Sequence, residues 1–244
     1  MSESSHPLTK RMAILGGTAY IVAIVQYAIA QLVAAAAWNP PYNWMTNFIS
    51  DLGNTACGQF AIHGSSSYVC SPRHAVMNAS FVVGGVLLIV GTVLLWHLWP
   101  ARRMTTVALW LWLVAGVGKI VVGLVPENTN ASLHVAGATN LLIGSVAILL
   151  LSLVARRQHR PLATTGLIIG VVGLVGGVLS TAAQGAGSAL DLGIGAGGME
   201  RVAGYPSNIW LVIVGVIAIL STKEQTTPAA RRPIRADGLG TVGL

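Results

Sequence analysis

Six long apolar stretches follow one another along the chain, separated by polar segments. Five of them contain the roughly 20 mostly apolar residues that a helix needs to cross a bilayer: 12–37, 75–98, 105–125, 133–155 and 162–183. The sixth is cleanly apolar only over 209–220, so its helix must extend back toward Met199. We expect it to start between Met199 and Pro206, with Pro206 either the first helical residue or a kink in a longer helix. The pattern predicts an all-α membrane protein with six transmembrane helices in a bundle.

Composition supports this class and excludes others. Of the 244 residues, 54% are apolar and only 9% are charged, whereas a soluble domain has about 25% charged residues. A soluble globule, a disordered chain and a nucleic-acid-binding protein with a basic surface are therefore excluded. The partner that the composition indicates is the lipid bilayer, with no nucleic acid; the oligomeric state is left open.

The few charges predict an orientation. Eleven of the 14 basic residues fall on one side of the predicted spans: Lys10, Arg11, Arg102, Arg103, Arg156, Arg157, Arg160, Lys223, Arg231, Arg232 and Arg235. Short cytoplasmic loops are enriched in Lys and Arg, so both termini should be cytoplasmic, in a bacterial-type cytoplasmic membrane. We divide the chain into a cytoplasmic N-terminus (1–11), a membrane domain (12–220) and a disordered basic cytoplasmic tail (221–244).

On this orientation two outer loops are long, 38–74 and about 184–206, and they collect most of the unusual polar residues. The glycine-rich part of the second, 185–198, is expected to be a flexible loop. At the start of the second span, His74 and Asn78 share one helical face. Lys119, inside the third span, could pair with an outer acid, but we favour snorkelling toward the interface.

Cys57 and Cys70 lie in the first outer loop, on the oxidising side of the membrane. A disulfide closing this loop of about 14 residues would stabilise the fold by roughly 3 kcal/mol. We predict this disulfide rather than two free thiols.

Four polar motifs occur in order: Ser-Asp-Leu-Gly at 50–53, Ser-Pro-Arg-His at 71–74 leading to Asn78, Gly-Leu-Val-Pro-Glu-Asn at 123–128 with His134, and Met-Glu-Arg at 199–201 leading to Trp210. From about 51 to 215 the chain resembles the DUF998 family of bacterial and archaeal integral membrane proteins of unknown function. The resemblance implies a six-helix fold and marks a candidate polar site: Asp51, His74, Asn78, Glu127, His134, Glu200 and Arg201.

The favoured function is binding or transport of a small or lipid-like ligand at this outward-facing polar site. Arg73 or Arg201 would take an anionic group, and His74 or His134 would respond to protons. Intramembrane polar groups usually mark such sites because they are costly to keep in lipid.

Two alternatives stay open. One is a hydrolase at the outer leaflet, using either acid–base chemistry by Glu127 or His134, or a zinc ion held by His74, His134 and Glu127. The other is a structural protein in which acids and Arg201 form a salt-bridged cap. Haem between His74 and His97 and between His134 and His159 is disfavoured, since His159 lies among arginines outside the hydrocarbon.

Overall fold

The structure, a computed structural model, describes residues 7–62, 65–186 and 188–224. Within them, six helical segments are long and apolar enough to span a membrane: Pro7–Ala35, His74–Leu98, Arg103–Leu124, Ala131–Ala155, Arg160–Ala182 and Gly195–Thr222. The predicted six-helix membrane fold is confirmed. The cytoplasmic position of the termini stays a prediction.

The helices form a closed ring. The α-helices are α1 (Pro7–Ala35), α2 (His74–Leu95), α3 (Arg103–Leu124), α4 (Ala131–Ala138), α5 (Asn140–Ala155), α6 (Arg160–Ala186) and α7 (Gly195–Glu224), with short 3-10 turns at Ser50–Gly53, Trp96–Leu98 and Ser188–Asp191. The fourth span is therefore made of α4 and α5 in succession. Packing runs α1–α2–α3–α5–α6–α7 and returns from α7 to α1, so the ring encloses an interior.

The two ends of the bundle differ in chemistry. At one end, which we call the hairpin end, strands β1 (Gly58–Ile62) and β2 (Ser65–Val69) pair antiparallel, with Gly58 opposite Val69. The predicted disulfide between Cys57 and Cys70 is present and closes this hairpin. We call the other end, which carries Lys10, Arg11 and the arginines of the α2–α3 and α5–α6 connections, the basic end.

Small residues let neighbouring helices approach closely. A Cβ atom on Gly17 of α1 would lie 2.5 Å from the carbonyl oxygen of Gly215 on α7. A Cβ on Gly85 of α2 would lie 2.5 Å from the carbonyl oxygen of Gly116 on α3. In lipid, where apolar burial gives little drive for helix association, such close backbone packing supplies much of the attraction.

The interior of the ring is apolar in the half near the basic end. In the half near the hairpin end it contains both apolar and polar side chains. Trp112, Trp210, Leu109 and Ile148 are among the buried residues of the basic-half core. Toward the hairpin end the core is built from aromatic side chains such as Tyr27 and from the segment that follows α1, and this second cluster lies over the first. The basic half is thereby filled with side chains, and space remains beneath the hairpin end.

The last helix begins earlier than the sequence suggested. It starts at Gly195, so Pro206 is inside α7 and the prediction of a start between Met199 and Pro206 is wrong. Of the glycine-rich stretch predicted as a flexible loop, residues 185–186 end α6, 188–191 form a 3-10 turn and 195–198 begin α7. The physical reason is that this first part of α7 packs on protein: Met199 and Ala203 are each 1% exposed.

The first and last helices extend past the predicted bounds of the membrane domain, and the division into domains stays a prediction. α1 begins at Pro7 rather than at 12, and α7 continues to Glu224, past the predicted end of the membrane domain at 220. The prediction of a disordered tail concerns mainly 225–244, which lie outside the described residues.

Candidate functional site

Residues 42–54, which we call the cap segment, cover the hairpin end of the ring. Tyr42 is buried and its hydroxyl donates to the carbonyl oxygen of Phe48 at 2.7 Å. On α2, the amide of Asn78 donates to the carbonyl oxygen of Gly53 at 2.8 Å. Side chains of several helices therefore hold the cap segment through its backbone.

Arg201 is the main attachment of the cap segment to α7. Its guanidinium donates to the carbonyl oxygen of Asn47 at 3.0 Å, to that of Gly197 at 2.7 Å and to the Tyr42 hydroxyl at 2.5 Å. The guanidinium also lies 5.0 Å from the ring centroid of Trp44, in cation–π range. Both terminal nitrogens of Arg201 therefore donate hydrogen bonds to the cap segment.

Asp51 and Glu127 form a buried carboxyl pair outside the spanning helices. They are 1% and 5% exposed, and the charge of Glu127 acts on the carboxyl of Asp51. Asp51 Oδ2 also accepts from the backbone N–H of Phe48 at 2.8 Å. Burial, and then the charge of Glu127, raises the pKa of Asp51 from 3.8 to about 7. Burial also raises the pKa of Glu127. Around neutral pH the pair can therefore hold one proton between two oxygens.

His134 enters the site one turn into α4. Asn130 caps this helix by accepting from the N–H of Leu133 at 3.1 Å, and the imidazole turns inward, where it is 4% exposed. Its Nδ1 lies 2.7 Å from the carbonyl oxygen of Val125, which can only accept, so Nδ1 carries the proton. In the neutral ring Nε2 is then a hydrogen-bond acceptor.

Glu200 completes the group from α7, where its carboxylate accepts from the backbone N–H of Ile49 in the cap segment. The terminal nitrogens of neighbouring Arg201 bond to other partners, and the charge of Arg201 acts on the Glu200 carboxyl through space. Glu200 thus brings a further carboxyl group to the space beneath the cap segment.

These side chains surround two adjoining cavities of about 60 and about 130 Å³, both lined by Ser50, His134 and Glu200. The larger reaches the Asp51–Glu127 pair through Glu127, together with Ser180 and Thr181. The smaller descends along the bundle axis to polar side chains at membrane depth: Lys119, Asn140, Ser207 and Asn208.

Lys119 does not snorkel to the interface, so that prediction is wrong. Its ammonium lies 4.1 Å from the ring centroid of Tyr27, and the side chain lines the deep cavity inside the ring. The glycine at 84 leaves room for it, since a Cβ there would lie 3.1 Å from the Lys119 Cε. The aromatic face supplies the favourable contact that water would otherwise give the charge.

Residues 21–217 match the family described as Protein of unknown function (DUF998). The chain belongs to the DUF998 family. No curated protein matches it, and no solved structure does. The matched range includes all seven polar residues of the candidate site and the whole cap segment.

In this DUF998 protein five of the seven candidate residues come together beneath or in the cap segment: Asp51, Glu127, His134, Glu200 and Arg201. Asn78 holds the cap from its edge. His74 turns back to its own connection, where its Nδ1 lies 2.9 Å from the carbonyl oxygen of Ser71. Most of the candidate residues therefore lie at one end of the bundle, and His74 and His134 have different partners there.

The predicted metal ligands are not assembled. In residues 7–62, 65–186 and 188–224 no three His, Cys, Asp or Glu side chains are grouped so that they could hold a metal ion. His134 and Glu127 line a common cavity, whereas the ring of His74 is engaged at Ser71. These residues therefore do not provide the three-ligand set that a catalytic zinc requires.

Sequence reasoning missed several cavity residues. Ser50 belongs to the first motif and Asn208 lies shortly before Trp210 of the last, so both could have been included on that ground. Asn140 and Ser207 carry no comparable signal, because single polar residues in apolar spans are usually satisfied by their own helix. The position of Asn140 after the break between α4 and α5 becomes visible only in the structure.

Proposed function

We propose that this DUF998 protein binds a small N–H-donating cation, of the alkylammonium type, in the cavity beneath the cap segment, and that binding is linked to release of a proton. The observation that carries the proposal is the convergence of Glu127, Glu200 and His134 on one cavity. We propose binding only. The ligand class is narrower than the small or lipid-like ligand expected from the sequence, because it is limited to small cations that donate N–H groups.

The larger cavity, which Glu127, His134 and Glu200 line together, presents more hydrogen-bond acceptors than donors. Among the described residues Glu127 Oε1 is buried and has no hydrogen-bond partner. His134 Nε2 is an acceptor because Nδ1 donates to Val125. A buried acceptor without a partner costs roughly 1–3 kcal/mol, more when it is charged, and a ligand with several N–H groups would recover that cost. A carboxylate or phosphate ligand would instead meet Glu127 and Glu200 with like charge.

Proton linkage follows from the Asp51–Glu127 pair. When the pair shares a proton its charge is reduced, and a cation beside Glu127 favours release of that proton. Since the pKa of Asp51 is about 7, the affinity for a cation should rise as the pH passes upward through this value. The protein would therefore exchange one proton for one cation near neutral pH.

Cavity size supports a small ligand. Spaces of about 60 and about 130 Å³ lie below the 300–1,000 Å³ of typical pockets for drug-sized ligands. Further passage toward the basic end meets the packed side chains of Leu88, Trp112 and Leu211. Transport through the ring would require these residues to repack, so we propose binding and leave transport out.

Asp51 and Arg201 have a structural part in this proposal, because their hydrogen bonds go to the backbone of the cap segment. This retains the polar-cap hypothesis for those two residues. We do not propose the metal-dependent hydrolase, since the described His and acidic side chains form no three-ligand group.

The test compares two monovalent cations by thermal unfolding of the full chain in detergent. Methylammonium donates N–H groups, whereas tetramethylammonium carries the same charge without them and serves as the matched salt. Methylammonium should raise the melting temperature at about pH 8.5 and much less at about pH 5.5, on either side of the raised pKa of about 7.

Variants connect the effect to the cavity. Glu127→Gln and Glu200→Gln should each reduce the methylammonium shift strongly, because a neutral amide replaces the carboxylate. Asp191→Asn is the matched control: Asp191 accepts from the N–H of Gly193 at 3.0 Å in the α6–α7 connection, away from the cavity lining. Equal shifts with tetramethylammonium, or an undiminished shift in both Gln variants, would refute the proposal.

A further inference from the structure

The connection between α2 and α3 forms a groove of about 730 Å³ at the basic end, opposite the cation cavity. Its lining combines indole, imidazole, guanidinium and hydroxyl groups: Trp96, His97, Trp99, Arg102, Arg103 and Thr105. Arg102 and Arg103 are exposed. Asp51, Glu127, Asp191 and Glu200 lie toward the other end, while Glu224 ends α7 at the basic end. The residues that line the groove include two arginines and no acid, so the groove has a basic character that favours an anion.

The first turn of α3 lines the same groove. This 22-residue helix begins at Arg103, and the residue before it, Arg102, makes no side-chain capping hydrogen bond. The first backbone N–H groups of a helix have no partner within the helix and carry partial positive charge. Helix N-termini of this kind bind phosphate and other anions readily.

Thr105 is a second, independent indication of a ligand. It lines the groove, it is 2% exposed, and among the described residues its buried hydroxyl has no hydrogen-bond partner. By contrast, the hydroxyl of the next residue, Thr106, donates to the carbonyl oxygen of Arg102 at 3.3 Å. A buried hydroxyl without a partner is costly, and a phosphate oxygen in the groove would accept from it.

The surroundings favour a phosphate that belongs to a lipid. Trp96 packs edge-on against Trp110, with ring centroids 6.2 Å apart, and indoles of this kind prefer the depth of lipid head groups. Beside the groove, Leu98 and Val107 are 42% and 53% exposed. They offer an apolar surface on which acyl chains can lie while the head group stays at the arginines.

We propose that this groove binds the phosphate of an anionic phospholipid from the leaflet at the basic end. Arg102 and Arg103 attract the negative charge, the first turn of α3 and the hydroxyl of Thr105 donate to the phosphate oxygens, and Trp96 and Trp99 flank the head group. Basic pockets between transmembrane helices are a recognised form of anionic-lipid site. The site is independent of the cation cavity.

The experiment measures lipid binding to the full chain by native mass spectrometry, from detergent containing equal amounts of phosphatidylglycerol and phosphatidylcholine. One phosphatidylglycerol should bind in preference to phosphatidylcholine. Arg102→Gln with Arg103→Gln should weaken phosphatidylglycerol binding by roughly tenfold or more. Arg156→Gln with Arg157→Gln is the matched control, since these exposed arginines belong to the other connection at the same end.

Thr105→Val separates a ligand contact from general charge attraction. It replaces the hydroxyl, which has no partner among the described residues, by a methyl group of similar size, so the melting temperature should not fall while lipid binding weakens several-fold. Equal loss in the Arg156/Arg157 control would show diffuse charge and overturn the site. Equal binding of phosphatidylcholine would overturn the anionic preference, and displacement by inorganic phosphate at the lipid's own concentration would overturn the assignment to a lipid.

Discussion

Asp51 and Glu127 form a buried carboxyl pair in which the charge of Glu127 raises the pKa of Asp51. Asp51 belongs to the 3-10 turn Ser50–Gly53, and Glu127 lies in the connection between α3 and α4. Two carboxylates repel one another, so a buried pair of this kind is less costly when it holds one proton. This contact gives the hairpin end a proton-binding site at a pH where ordinary carboxyl groups are ionised.

The pair makes stability depend on pH in a defined direction. Burial raises the pKa of Asp51 from 3.8 to about 7, so between these values the folded chain holds a proton that the unfolded chain has released. The free energy of unfolding should therefore fall as the pH rises from about 4 to about 7, and the contribution of the pair should level off above that. Melting temperatures of the purified protein in detergent across this range measure the effect.

Asp51→Asn should reduce this slope, because the amide does not titrate. Asp191→Asn removes an acid from the same end of the bundle and should leave the slope unchanged. A wild-type curve that coincides in slope with Asp51→Asn would contradict the shared proton.

Arg201→Lys should destabilise the protein although it keeps the charge. The guanidinium bridges Asn47, Gly197 and Tyr42 at once, and a lysine ammonium cannot reach three partners in this fork geometry. We expect a loss of about 3 kcal/mol, as when a buried charged group loses its partners. Chemical unfolding of the full chain measures the loss.

The control for this prediction is Arg73→Lys. Arg73 is exposed at the start of α2, and such surface changes usually stay within about 0.5 kcal/mol. If both variants lose the same stability, Arg201 is not the attachment of the cap segment.

The spans could be predicted because each is a long apolar run, and lipid demands such runs of any helix that crosses it. The start of α7 could not be predicted in the same way. Glu200 and Arg201 interrupt the apolar pattern there, yet they face the cap segment rather than lipid. From sequence alone, polar residues whose hydrogen-bond partners lie on other elements cannot be distinguished from polar residues of a loop.

The candidate site shows the same limit. His74 and His134 both stand near the start of a spanning helix, and nothing local distinguishes them. The structure separates them by their acceptors: His74 bonds to Ser71 beside it, and His134 bonds to Val125 and lines the cavity. Lys119 was misjudged because the face of Tyr27 that receives it lies on another helix.

The disulfide should stabilise the hairpin end more than the bundle. It joins residues 13 apart in sequence, and a bond closing a loop of this size contributes roughly 3 kcal/mol in the chain-entropy model. In Cys57→Ser with Cys70→Ser, limited proteolysis should cut within the hairpin faster, while the helical circular dichroism is unchanged. Loss of helicity in this variant would show that the bundle itself depends on the bond.

Two glycines of α7 should respond to alanine in opposite directions. A Cβ on Gly215 would lie 2.7 Å from the carbonyl oxygen of Gly17 on α1, too close for either backbone to stay in place. A Cβ on Gly204 would meet Leu141 at 3.5 Å, an ordinary contact. Gly215→Ala should therefore cost about 1–3 kcal/mol through overpacking, whereas Gly204→Ala should be neutral or gain up to about 1 kcal/mol from helix propensity.

Melting temperatures of the two variants, measured side by side in the same detergent, check this difference in sign. Because both substitutions add one methyl group to the same helix, they match each other in size and in effect on the unfolded chain. Equal shifts would mean that α1 and α7 do not approach at Gly17 and Gly215. A loss confined to Gly215→Ala would support the close backbone approach by which α7 closes the ring against α1.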